Sequence, residues 1–194
     1  MRSRIKALIV PVIIALALAG VFAYSSRNPA QGTQCIQTVR SGSIEVEWLE
    51  GFDSIASMRA AASVVVVGEV ISSQAALEGR LHKVIYTDHT VSVESPLKGN
   101  PGATVVVYQL GGVWCGARME VRDDPLMAVG DRLVLFLRLD SDTGEHYVLR
   151  GPQGRFVVRD HLVYSLNALY PERDIELPWR IAGLPEADFL ATLR

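Results

Sequence analysis

Several side chains in this sequence are of types and spacings that could do chemistry. Asp123 and Asp124 are adjacent carboxylates, which could bind Ca2+ or share acid–base work. They precede Pro125, so an ordinary Asp-Asp-Pro turn is the competing reading, and no further ligands stand at calcium-loop spacing. His82, Asp88 and His89 form a His/Asp cluster. On an extended strand His82 and Asp88 share a face while His89 points to the other, and neither HExxH nor a comparable ligand spacing occurs. Trp114 stands beside Cys115; an aromatic on a fastened loop can anchor a partner, or pack over the end of the fold. Trp114, Asp123 and Asp124 are therefore the candidate binding residues. No nucleophile motif or glycine-rich phosphate loop is present. No catalytic residue, metal or cofactor is expected.

These residues lie far downstream of an N-terminus of another character. Arg2, Arg4 and Lys6 precede an uncharged run from Ala7 to Ser26. As a helix that run would reach about 30 Å, the thickness of a bilayer's hydrocarbon core. The basic start predicts a cytoplasmic N-terminus and a C-terminal domain outside the cytoplasm. Residues 1–26 read either as a single-pass membrane anchor or as a signal peptide, secreting the protein if residues 1–23 are cleaved. The first 26 residues hold three basic groups and no acid. The other 168 thus carry 16 basic and 21 acidic side chains, a formal charge of −5. Such a domain is a poor partner for nucleic acid. Cys35 and Cys115 both fall in the exported part, where an oxidising compartment predicts a disulfide between them.

Residues 27–43, rich in Ser, Gln, Gly and Thr, read as a linker, and residues 44–194 as one extracytoplasmic domain. A half-buried strand is expected over 43–49 and a short helix over 53–62 with Asp53 near its N-cap. Val64-Val65-Val66-Val67-Gly68 predicts a strand buried on both faces, with a bulge or bend at the glycine. Strands follow over 83–94, 104–110, 132–139, 145–149, 155–158 and 161–166. Turns are expected at 97–102, 151–154 and 159–160. Gly111 to Asp131 shows no periodicity and reads as a long loop. A short amphipathic helix is expected over 185–193. Many short strands between Gly/Pro turns, with a glycine inside a valine run, predict a mainly β fold: a small closed barrel with short helices.

The segments Ala62–Val70, Tyr86–Gly99, Asp124–Leu137 and Gly151–Phe156 together resemble uncharacterised bacterial exported proteins. The first part is similar to the OB-like barrel of netrin modules and metalloproteinase inhibitors. The resemblance spans Ser54 to Leu166 and implies a fold. The inhibitors reach a protease zinc through the free amine of an N-terminal cysteine. A signal cut after Ala17-Leu18-Ala19 or Val21-Phe22-Ala23 exposes no cysteine, so that activity does not carry over. The expected function is binding of a protein or cell-envelope component without catalysis, through the Gly111–Asp131 loop, with the membrane as a further partner through the N-terminal helix. The alternatives are a metal-assisted hydrolase using Asp123, Asp124, His82 or His89, and a structural subunit of an envelope complex.

Overall fold

A computed structural model describes residues 40–48, 51–78, 84–173 and 175–194. The expected anchor or signal segment, His82 and Cys35 lie outside these residues. No described helix is long and apolar enough to cross a membrane.

In chain order the elements are β1 (Gly42–Ile44), α1 (Ile55–Ala61), β2 (Val64–Glu78), β3 (Val84–Lys98), β4 (Thr104–Leu110), β5 (Gly112–Trp114), β6 (Ala117–Val121) and β7 (Arg132–Leu139). Then come β8 (His146–Val148), β9 (Arg155–Arg159), β10 (Leu162–Ser165), α2 (Leu166–Leu169), β11 (Ala182–Pro185) and α3 (Glu186–Ala191). One sheet runs β11-β10-β9-β7-β2-β3-β4-β8, and an extra β7–β8 pairing closes β7, β2, β3, β4 and β8 into a five-strand barrel. The β4–β8 pair is parallel; the other pairs around the ring are antiparallel. This closed ring is consistent with an OB-like barrel.

The valine run explains why β2 is central. Val64, Val66 and Val70 join Val91, Val105, Val107, Leu133, Leu135 and Leu137 in the barrel interior. Val65 and Val67 face the other way, into a second core with Met58 of α1, Phe136, Phe156, and Phe189 of α3. Each such buried side chain contributes roughly 1.5–3 kcal/mol, and alternation along one strand feeds both cores. The bend falls where expected: the β2–β3 register shifts between Val67 and Gly68. A Cβ on Gly68 would lie 2.4 Å from the Ser92 carbonyl oxygen, so only glycine lets the strands meet there.

Several expected boundaries move. The first strand is only Gly42–Ile44, and it pairs in parallel with β6. The N-cap of α1 is Ser54, one residue later than Asp53, because Ser54 and Ser57 form a reciprocal capping box. At the other end of α1, Lys98 Nζ donates to the carbonyls of Arg59 and Ala60, where a cation also suits the helix dipole. The stretch 111–131 is not one irregular loop. Its first half is the β5–β6 hairpin, which forms a separate three-strand sheet with β1.

Candidate functional site

The β5–β6 hairpin turns on Cys115 and Gly116, with φ of 50° and 81°. Two left-handed residues in succession give the turn whose twist matches the flanking strands. This places Trp114, half-buried, at the hairpin tip. No described cysteine is free; the bond expected at Cys115 involves Cys35, which is not among the described residues.

Asp123 and Asp124 do not converge on a common site. Asp123 accepts a 2.7 Å hydrogen bond from the Trp48 indole N–H. The Trp48 ring lies against Gly151, where a Cβ would come within 2.3 Å of it. Asp124 turns inward and is buried. Its Oδ1 pairs with Arg155 Nη2 at 2.8 Å, and the same nitrogen donates to the Pro125 carbonyl. Burial raises the Asp124 carboxyl above the usual aspartate range, and the Arg155 guanidinium and the Gln109 amide oppose that rise. Gln109 grips the same segment, accepting from Met127 N at 3.0 Å and donating to Pro125 O at 3.1 Å.

Beside this pair lies His89. It is buried, while its neighbour Asp88 faces outward on the alternation of β3. Ser73 Oγ and His89 Nδ1 are 2.8 Å apart. Burial lowers the imidazole pKa to about 4, and the Arg155 charge adds to that effect. Gln109 lies near enough to favour the charged ring slightly, but not in hydrogen-bonding geometry with Nε2, which has no partner. A Ser–His pair serves catalysis when the imidazole can take up a proton; a buried ring beside a guanidinium is poorly disposed to do so. Among the described residues no group of three or more His, Cys, Asp or Glu could hold a metal ion.

Two surface features surround this interior. A cleft of about 230 Å3 is lined by Arg118, Glu120, Leu126, Tyr170 and Arg173, with Asp124 and Pro125 contributing to its wall. Arg118 is already paired with Glu120. The second feature was not read from the sequence. A single register row crosses the outer face of the barrel: Gln74 on β2 opposes Asp88 on β3, Asp88 opposes Tyr108 on β4, Tyr108 opposes Tyr147 on β8, and Tyr147 opposes Arg138 on β7. The row takes one residue from each strand of the five-strand ring, so it winds around the barrel; Asp88 and Tyr108 are its members on β3 and β4. Tyr86 adds a stacked ring, its centroid 5.0 Å from that of Tyr108. The signal that could have found it is the polar and aromatic phase of each strand, opposite the Ile85, Thr87, His89 and Val105, Val107, Gln109 phase that fills the barrel.

No protein-family model matches this chain, and no curated protein matches it either.

Proposed function

We propose that the chain is a non-enzymatic, extracytoplasmic binding module, held at the membrane by residues 1–26, whose ligand is a glycan of the cell envelope. The observation that carries this reading is the outward tyrosine cluster on three adjacent strands: Tyr86 stacked on Tyr108, and Tyr147 opposite Tyr108. OB barrels bind oligonucleotides and oligosaccharides on the face of their second and third strands, which correspond here to β3 and β4. The formal charge of −5 beyond residue 26 disfavours a polyanion and leaves the oligosaccharide. Tyrosine rings pack on the C–H faces of sugars, and the exposed Gln74 amide can bond their hydroxyls. The one acid and one base along the strands cancel, so neither sign of ligand charge is selected there.

The Gly111–Asp131 segment is then a secondary contact, presenting Trp114 beside Cys115. A Cys35–Cys115 bond would fasten that hairpin to the stem after the membrane segment, and the resemblance to exported OB-like barrels agrees with this placement. The test is cosedimentation of the full chain with insoluble peptidoglycan. Tyr108→Ala and Tyr147→Ala should each weaken retention about fivefold or more, the equivalent of about 1 kcal/mol. Retention unchanged in both variants, with the fold intact by circular dichroism, would remove the proposal.

A further inference from the structure

Gln109 of β4 and Arg155 of β9 hold the segment from Asp124 to Met127 by five hydrogen bonds, one of them a 3.5 Å bond from Gln109 Nε2 to Asp124 O. Gln109 accepts from Met127 N and donates to Pro125 O; Arg155 donates to the Asp124 carboxylate and to Pro125 O. Asp124, Pro125 and Leu126 in turn form part of the cleft wall. The third interior polar group, His89, lies close enough to feel both the Arg155 charge and the Gln109 amide. Its Nδ1 is engaged by Ser73, and its buried Nε2 is unpartnered.

We propose that this cluster is an acid-operated latch: a proton on His89 Nε2 draws the Gln109 carbonyl oxygen away from the Met127 N–H and releases residues 124–127 from the barrel. The charged group that acts on His89 is Arg155 from β9, itself paired with Asp124 of the held segment. β4 presents Gln109 and β2 presents Ser73, both uncharged, and on its own strand Asp88 faces outward. An imidazolium has two N–H donors. Ser73 Oγ can accept one. The other needs an acceptor, and the Gln109 oxygen is the neighbouring one now committed only to a main-chain N–H. While the latch is closed, Arg155 repels the added charge; opening admits water, which solvates the imidazolium and screens that repulsion.

The closed state holds the imidazole near pKa 4, against about 6.5 for an exposed ring. Linkage between those values raises the open fraction about twentyfold from pH 7 to pH 5. The readout is hydrogen exchange at the Met127 amide in the full chain, corrected for intrinsic exchange. Wild type should lose about twentyfold of its protection over that range, and His89→Gln less than about threefold. Unchanged protection in wild type, or an equal loss in His89→Gln, overturns the latch. Gln109→Met keeps the proposal testable if His89→Gln does not fold. Its Met127 amide should be poorly protected at both pH values, and a retained twentyfold pH dependence there would also overturn it.

Discussion

Replacing Arg155 with Met should expose how much of the barrel's integrity rests on one interior ion pair. The Arg155 and Asp124 side chains are only 3% and 7% exposed. Removing the guanidinium therefore leaves a carboxylate in the interior with no countercharge, a change that costs about 3–5 kcal/mol. The Pro125 carbonyl loses a donor as well, though Gln109 still serves it. Against a total stability of roughly 5–15 kcal/mol for a domain, this is a severe but measurable loss. Urea denaturation of the full chain, followed by tryptophan fluorescence, gives the number. The double variant Arg155→Met/Asp124→Leu should be more stable than Arg155→Met alone, because it removes the orphaned charge as well. Without Arg155 the burial that raises Asp124 is unopposed, so the folded state holds a proton that the unfolded state releases. The deficit of Arg155→Met should accordingly shrink as the pH falls from 8 to 5. A cost below about 1 kcal/mol, or a double variant whose loss is the sum of the two single losses, would refute a dry, coupled pair.

Three other outcomes follow from particular contacts. His89 has a folded pKa depressed to about 4, so the unfolded state binds more protons between about pH 6.5 and 4. The stability of wild type should fall by about 3 kcal/mol as the pH drops through that window, and His89→Gln should remove most of the slope in a pH series of denaturation curves. Gly68→Ala places a Cβ against the Ser92 carbonyl oxygen, a main-chain atom, at 2.4 Å. It should cost about 1–3 kcal/mol and lower the melting temperature by several degrees, and an unchanged melting temperature would contradict the close approach of β2 and β3. Gly151→Ala drives a methyl into the Trp48 ring, which should break its bond to Asp123 and shift tryptophan emission; a spectrum identical to wild type would mean that Trp48 does not pack there.

The β pattern was legible because a strand's period survives in sequence. Val64–Val67 advertised burial on both faces, and both cores use it; Gly68 advertised the bend. The β5–β6 hairpin was not legible. Gly112–Trp114 is too short to show alternation, and its turn places a cysteine in a left-handed conformation usually reserved for Gly, Asn or Asp. The parallel partnership of β1 with β6 is long-range and leaves no local mark. The candidate residues fared unevenly for a related reason. Asp123 and Asp124 are neighbours in sequence, but one meets Trp48 and the other enters the interior. His89, Gln109 and Arg155 each look like solvent-facing residues of a strand. Only closure of the barrel, with β9 paired to β7 beside it, turns their faces inward together. The tyrosine cluster likewise needs the register of β3, β4 and β8, which no single segment contains.

The most direct test of the account is the affinity of the full chain for soluble peptidoglycan fragments, measured for wild type and for the Tyr108→Ala/Tyr147→Ala double variant. Wild type should bind saturably, the double variant should lose about tenfold or more, and Trp114→Ala, at the secondary contact, should lose only about twofold. Equal affinity in wild type and the double variant, or no binding by folded wild type, would contradict it.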